Sequence, residues 1–484
     1  MNPSIVVENL RLKFPKEKEL LFKDLCVTIN KGEKVLLLGP SGCGKSTLLQ
    51  VVAGIIPRSI EVPMKAEKLE LPISSGYVFQ DPDSQFCMPY VDEEIAFVLE
   101  NLHVPREQMK ERIREYLDLV GLQLPDLHTS IQTLSGGQKQ RLAIASILAL
   151  EPDVLFLDEP TAMLDPEGTK DVWNTIENLM DNQTLIIVEH KIEHVMDLVD
   201  RVIVFSPTGE ILADGHKDEI VNTHLPLLRE HGIWYPGVWD EYMNQHQRSY
   251  SQQENHSPIL TVREFEVNRK KEVIVHLPTA DVFAHEWIAI TGENGAGKSS
   301  LLQGFMQLLE TKGDYHLFGT EVTKKRELFT ELAYVFQNPE FQFVTNSVYD
   351  ELAHSLRLFE AEEKHVQAKV EEMLERFSLK EHRDKHPYQL SMGQKRRLSV
   401  ASTIMQDQQL LLLDEPTFGQ DSKNTFALLE HLERSRQKGA TILMITHDEK
   451  IVEQFATRKW VISQGRLIED IQINKSEESI AIHV

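Results

Sequence analysis

Two glycine-rich loops each end in a lysine and a serine: Gly39-Pro40-Ser41-Gly42-Cys43-Gly44-Lys45-Ser46 and Gly292-Glu293-Asn294-Gly295-Ala296-Gly297-Lys298-Ser299. A strand that turns through such glycines into a helix aims several backbone N–H groups into one concavity, and the helix dipole adds positive charge there. Polyphosphate suits that concavity. Lys45 and Lys298 are expected to reach the β and γ phosphates of ATP and Ser46 and Ser299 to place a hydroxyl on Mg2+, with Thr47 and Ser300 in the same nucleotide cradles. One such loop arises by accident often enough to be only suggestive. Two, 253 positions apart and each followed by the same ordered landmarks, imply a duplicated ATPase.

The landmarks keep step. Gln80 and Gln337 are 257 apart, Ser135 and Ser391 256, Glu159 and Glu415 256, His190 and His447 257. Asp158 and Asp414 close apolar runs and suit organisation of a metal ion through water. The next residues, Glu159 and Glu415, suit a general base for the attacking water. Taken alone, an Asp-Glu pair after a strand is more often a solvated turn; the loops upstream give it meaning. His190 and His447 each follow a third apolar run, and their shared register favours contact with the γ phosphate over a structural histidine.

The elements that must hold these groups are legible as apolar runs. Lys34-Val-Leu-Leu-Leu38 and Trp287-Ile-Ala-Ile290 read as buried strands entering the glycine loops, Asp153-Val-Leu-Phe-Leu157 and Gln409-Leu-Leu-Leu-Leu413 as acidic strands, and Thr184-Leu-Ile-Ile-Val188 and Thr441-Ile-Leu-Met-Ile445 as a third pair. Alternation of such runs with amphipathic stretches predicts an α/β fold with a mainly parallel sheet in each half, whose ligand groups gather at the carboxyl ends of the strands. A chain of 484 residues accommodates two such domains. They are expected at 1–235 and 257–475, joined by a polar linker over 236–256 and followed by a tail over 476–484. Before the linker, Trp234, Tyr235, Trp239 and Tyr242 form an aromatic cluster that reads as a terminal segment packing on its own domain, with a partner-binding patch as the alternative.

A formal net charge of −24 and the lack of a long Lys/Arg run argue against a nucleic-acid partner. Cys26, Cys43 and Cys87 lack metal-ligand spacing and read as reduced thiols of the cytoplasm. The start shows no basic flank and no apolar core of a secretory signal, and the longest apolar runs are too short to span a bilayer. A membrane role is therefore expected to come through a partner.

Leu134-Ser135-Gly136-Gly137-Gln138 and Leu390-Ser391-Met392-Gly393-Gln394 lie between each P-loop and acidic strand, and this pentapeptide resembles the signature of ATP-binding cassette (ABC) ATPases. The resemblance covers nearly the whole chain and implies two P-loop NTPase domains, each with an α-helical signature subdomain. It also implies D-loop positions at Asp165 and Asp421, Gln80 and Gln337 as further metal-directed groups, and head-to-tail pairing of the cassettes within one chain. One composite ATP site would then join Lys45, Ser46, Gln80, Asp158, Glu159 and His190 to Ser391 and Gly393. The other would join Lys298, Ser299, Gln337, Asp414, Glu415 and His447 to Ser135, Gly136 and Gly137. Both keep Glu and His, so two hydrolytic sites are expected. Phe14 matches the family's adenine-stacking aromatic; the second half has Arg269 there instead, and Met392 replaces a signature glycine.

Phe79-Gln-Asp-Pro-Asp-Ser-Gln-Phe86 and Phe336-Gln-Asn-Pro-Glu-Phe-Gln-Phe343 resemble the Q-loops of energy-coupling factor (ECF) importers, including cobalt-type relatives. That resemblance implies a transmembrane coupling subunit, a substrate-binding membrane subunit, and peripheral attachment at the cytoplasmic face of the cell membrane. The cargo would be a vitamin, a vitamin precursor or a transition metal ion, and the fused arrangement resembles thiamine-precursor (hydroxymethylpyrimidine) uptake ATPases. Asp92, Glu93, Glu94, Asp350 and Glu351 are expected to line the coupling groove and meet arginines of the partner; the alternative is an acidic first helical turn complementing the dipole. Tandem-cassette sugar importers are the other transport reading. Soluble ribosome-acting ABC ATPases are the other class, disfavoured by the missing iron-sulfur cysteines and the short linker.

Overall fold

A computed structural model describes residues 3–15, 17, 19–161, 164, 166–179, 183–189, 192–246, 257–323, 328–359, 361–406 and 408–473. The chain forms two compact units, Met1–Val238 with Asp421–Lys423, and Trp239–Gln420 with Asn424–Val484.

The strands of the first unit are β1 (Pro3–Leu12), β2 (Phe22–Asn30), β3 (Lys34–Leu38), β4 (Met64–Lys65), β5 (Lys68–Glu70), β6 (Ser75–Val78), β7 (Val154–Asp158), β8 (Thr184–Val188), β9 (Arg201–Phe205) and β10 (Ile211–His216). Its helices are α1 (Lys45–Val52), α2 (Ile55–Arg58), α3 (Val91–Asn101), α4 (Arg106–Leu119), α5 (Gly136–Leu148), α6 (Pro166–Leu179), α7 (Lys217–Thr223) and α8 (Leu225–Glu230). β3, β6, β7, β8 and β9 run parallel in the order β9-β3-β8-β7-β6, and β10 closes the edge antiparallel to β9. A second, antiparallel sheet holds β2-β1-β4 with β5 on β1. β7 and β8 are buried at every position, which is why they read as unbroken apolar runs rather than alternating ones. Leu48, Leu49, Val51 and Val52 of α1 join Leu12 and Phe22 of the antiparallel sheet to Leu37, Phe156 and Ile186 of the parallel sheet in one core.

The second unit repeats this plan. β11 (Pro258–Arg269), β12 (Glu272–Phe283), β14 (Glu310–Leu317) and β15 (Thr320–Glu321) form the antiparallel sheet. β13 (Trp287–Thr291), β16 (Leu332–Val335), β17 (Leu410–Asp414), β18 (Thr441–Ile445), β19 (Arg458–Ser463) and β20 (Arg466–Gln472) form the other, ordered β16-β17-β18-β13-β19-β20. Its helices follow α9 (Val238–Gln245) as α10 (Lys298–Phe305), α11 (Val348–Leu358), α12 (Glu363–Arg376), α13 (Met392–Thr403), α14 (Ser422–Gln437) and α15 (Glu449–Phe455). The α/β class read from the sequence holds, and the six expected strands lie within one residue of where their apolar runs placed them. Each glycine-loop strand sits inside its sheet, so its carboxyl end opens beside those of the third and acidic strands. Between β6 and β7, and between β16 and β17, the chain is helical: α3 to α5 and α11 to α13.

The aromatic cluster divides. Trp239 and Tyr242 lie on α9 and pack against Phe426 of α14, Trp239 edge-on at 4.9 Å and Tyr242 stacked at 4.0 Å with the rings 3° from parallel. Tyr242 also donates to Glu430 over 3.4 Å. Packing onto the domain that precedes it was the expectation for this cluster; for these two rings the partner is a helix of the second unit, because α14 offers an aromatic and a carboxylate one turn apart.

Candidate functional site

Each glycine loop is shaped by residues only glycine tolerates easily. Gly44 and Gly297 cap α1 and α10 in the left-handed region, at φ 104° and 100°. A Cβ on Gly44 would lie 3.0 Å from the Phe22 ring, and one on Gly297 2.9 Å from Val275. The turn therefore presses directly on the strand beneath it. Lys45 Nζ donates to the carbonyls of Gly39 (2.7 Å) and Pro40 (3.0 Å), and Lys298 Nζ to those of Gly292 (2.7 Å) and Glu293 (2.9 Å). Both ammonium groups are buried at the mouth of the loop on backbone acceptors, an arrangement that phosphate oxygens can replace.

Asp158 and Asp414 end their strands inside the protein. Asp158 Oδ1 accepts from Ser46 Oγ (2.7 Å) and Oδ2 from Tyr77 OH (2.8 Å). Burial raises its pKa, partly offset by those two donors. Burial pushes Asp414 up to about 6, against the nearby Ser299 hydroxyl, and Tyr334 OH donates to its Oδ2 over 3.3 Å. Its Oδ1 is buried without a partner of hydrogen-bond geometry.

Glu159 and Glu415 both sit at positive φ, 48° and 49°. A left-handed backbone at a bulky residue costs on the order of 1–3 kcal/mol and is kept where the surroundings impose it. Here Glu159 N–H bonds Val188 O (2.8 Å) and Glu415 N–H bonds Ile445 O (3.1 Å), so the sheet ladder runs one residue past each aspartate and swings the next side chain across the strand ends. Gln80 Nε2 donates to Glu159 over 2.7 Å. In the second unit His447 Nε2 lies 3.4 Å from Glu415 Oε1, an ion-pair separation off hydrogen-bond angle. Burial would raise Glu415, but His447, Lys298 and Arg396 outweigh it and the group lies low, fit to stay ionised. His190 and Asp165 lie outside the described residues.

Ser135 and Ser391 are the N-caps of α5 and α13, each closing a capping box with Gln138 or Gln394. Gly136 and Gly137 therefore open α5, and Met392, 43% exposed, opens α13 ahead of Gly393. The Q-loops are latched to these same helices. Lys139 pairs with Asp83, and Lys395 with Glu340. Gln85 donates to Ala143 O and Gln342 to Ser399 O, both over 2.8 Å. Phe14 is 38% exposed beyond β1, while Arg269 ends β11 exposed.

Two of the acidic residues expected to meet a partner face inward instead. Glu94 and Glu351 are 3% and 4% exposed. Glu94 accepts from the backbone N–H of Cys87 (2.9 Å) and Met88 (2.8 Å); Glu351 accepts from those of Val344 (3.1 Å) and Thr345 (2.9 Å). They staple the end of the Q-loop to α3 and α11. Asp92 contacts His128 (3.1 Å), and Asp350 pairs with Arg357 (3.0 Å).

Residues missed from the sequence include Tyr77, Tyr334 and Arg396. The tyrosines open a tetrapeptide repeated at 257 residues, Tyr77-Val-Phe-Gln80 and Tyr334-Val-Phe-Gln337, and that repetition was the available signal. Arg396 is 3% exposed, donates to Phe336 O (3.0 Å), and is pushed down to about 10 by burial against the pull of Glu415 and Asp414. Its counterpart in the first unit is the neutral Gln140, 1% exposed.

Oxygen donors from serine, glutamine and aspartate are the chemistry Mg2+ prefers, and a buried carboxylate oxygen without a partner fits such a use. Among the described residues no cluster of three or more His, Cys, Asp or Glu is placed to hold a metal ion.

The sequence pattern of the ABC transporter family matches residues 22–162 and 275–418. A Bacillus subtilis (strain 168) protein provisionally named HMP/thiamine import ATP-binding protein YkoD is 35% identical over 96% of this chain and 91% of its own. A Methanosarcina acetivorans protein, provisionally named ABC transporter ATP-binding protein, is 33% identical over 97% and 86%. Among solved structures, archaeal ribosome recycling factor aABCE1, crystallised with the ribosomal stalk protein aP1, superposes with a TM-score of 0.64 at 19% identity, over 96% of this chain and 90% of that one; at that identity the likeness is one of fold. A family pattern matched in both halves, on two units that each carry a P-loop, an acidic strand and a capped signature helix, makes the chain a member of the ABC transporter family: a tandem ATPase whose two domains are of the kind that binds and hydrolyses ATP.

Proposed function

We propose that this chain is the ATP-hydrolysing subunit of an ECF-type importer for a vitamin, a vitamin precursor or a transition metal ion. It works at the cytoplasmic face of the cell membrane through a transmembrane coupling subunit and a substrate-binding membrane subunit. The observation that carries this reading is the doubled Q-loop, Phe79-Gln80-Asp81-Pro82 and Phe336-Gln337-Asn338-Pro339, in a chain that aligns along 96% of its length with a relative named for import. No helix among the described residues is long and apolar enough to cross a membrane, so on this reading the path for cargo belongs to partners.

In the chemistry we assign, Lys45 and Lys298 transfer their ammonium groups from loop carbonyls to phosphate oxygens. Glu159 and Glu415 take a proton from the attacking water, and His190 and His447 contact the γ phosphate. Ser46, Gln80 and Asp158 in one site, and Ser299, Gln337 and Asp414 in the other, would hold Mg2+, which neutralises charge on the β and γ phosphates when bound. Phe14, Ser135, Gly136, Gly137, Gln138, Ser391, Gly393 and Gln394 complete the nucleotide contacts. The Q-loop latches give this chemistry an outlet: Gln80 touches Glu159 at one end, and five residues on Gln85 grips the signature helix.

The test is affinity purification of the full chain from detergent-solubilised membranes, with the co-purifying proteins identified. Two polytopic membrane proteins in constant ratio are expected. Recovery with ribosomal proteins and no membrane protein would transfer the chain to the ribosome-acting class.

A further inference from the structure

In both units a tyrosine on the neighbouring strand reaches the aspartate that ends the acidic strand. β6 and β7 pair in parallel with Tyr77 opposite Phe156, and β16 and β17 with Tyr334 opposite Leu412. Each ring thus starts two register positions before the aspartate and spans to it with its hydroxyl. Tyr77 OH takes Asp158 Oδ2 at 2.8 Å while Ser46 of the P-loop helix takes Oδ1 at 2.7 Å. Tyr334 OH takes Asp414 Oδ2 at 3.3 Å, and Oδ1 is left buried without a partner. Both rings are buried, and a phenol carries its proton at neutral pH, so each hydroxyl is a donor. Three residues on from each tyrosine stands the glutamine of the Q-loop.

We propose that Tyr77 and Tyr334 are positioning residues for the divalent cation that accompanies ATP: each hydroxyl engages one carboxylate oxygen and thereby presents the other to the P-loop serine and the cation's water shell. This rests on reading Asp158 and Asp414 as the cation-organising groups. Without the hydroxyl, Oδ2 would be buried with no donor and the carboxylate free to turn about its own bond, so the oxygen that serves the cation would no longer be fixed. The repeated geometry distinguishes this from a chance contact, since two units with different surroundings keep the same donor on the same oxygen.

The experiment uses the full chain carrying Tyr77→Phe or Tyr334→Phe, with Mn2+ as the probe. Mn2+ affinity is read by electron paramagnetic resonance in the presence of the non-hydrolysable analogue AMP-PNP, and metal-free nucleotide affinity by a fluorescent ATP analogue. Tyr77→Phe is expected to weaken Mn2+ at one site by roughly tenfold. Tyr334→Phe, which removes the longer bond, should weaken the other site less; metal-free nucleotide binding should stay unchanged in both. Asp158→Asn and Asp414→Asn separate the layers of the argument. If they weaken Mn2+ and the phenylalanine variants do not, the tyrosines have no positioning role. If neither pair weakens it, the reading of the aspartates fails and this proposal falls with it. Should a phenylalanine variant unfold, Tyr77→Met and Tyr334→Met, which also lack the donor and have a flexible side chain able to repack, are read by the same criteria.

Discussion

At the scale of single residues, the two units solve the same problem with different neighbours. Glu159 is engaged by an amide from Gln80, whereas Glu415 is flanked by His447, Lys298 and Arg396. Both glutamates nonetheless keep the same left-handed backbone, and both are assigned the proton-accepting role. Replacing both with glutamine is expected to lower steady-state phosphate release by at least about a hundredfold while equilibrium ATP binding persists; undiminished turnover would remove them from the mechanism. A different single residue sets an acid limit on folding. His431 of α14 accepts a bond from Arg376 Nη1 at 2.8 Å, so its ring must be neutral, and burial with Arg376, Arg434, Lys369 and Lys438 nearby pushes it down to about 3. A histidine held below its ordinary 6.5 contributes stability that is complete above that pH and is lost as pH falls toward 3, because the unfolded chain takes up the proton first. Relative to a His431→Gln variant, the wild type should lose about 1 kcal/mol of unfolding free energy between about pH 7 and pH 5.5, measured by urea denaturation. Parallel pH profiles for the two proteins would refute this.

At the scale of elements, the segment joining nucleotide site to signature helix is held at several points. Gln80 meets Glu159, Lys139 meets Asp83, Gln85 grips α5, and Glu94 closes the far end on the N–H groups of Cys87 and Met88. Truncating Glu94 removes the buried carboxylate that two partly exposed N–H groups bond, a loss of about 1–3 kcal/mol in all. Glu94→Ala and Glu351→Ala should therefore lower the melting temperature by several degrees and speed amide hydrogen exchange at 87–88 and 344–345. Normal protection there would show that the carboxylates do not hold the loop. This staple was not legible in the sequence: three acids in a first helical turn read as lining a groove for a partner, or else as a dipole complement, and nothing in the local pattern says that the third turns back onto backbone six or seven residues upstream. The strands were legible because β7 and β17 are buried on both faces, which forces an unbroken apolar run, and the glycine loops because their left-handed caps admit few other residues.

At the scale of the whole molecule, duplication was legible because a fixed offset survives sequence divergence; what diverged is pairing across distance. Tyr77 reaching Asp158 and α9 settling on α14 each link residues far apart along the chain, and no hydrophobic periodicity announces them. The last of these matters for anyone who divides the polypeptide. Residues 239–246 precede the polar stretch that separates the two P-loop regions, yet their aromatic rings cover Phe426. A cut placed in that polar stretch would leave those rings on the amino-terminal fragment with no surface to cover and strip the carboxy-terminal one of its lid, giving two sticky products. Severing the backbone ahead of Val238 would keep the lid with the helix it shields.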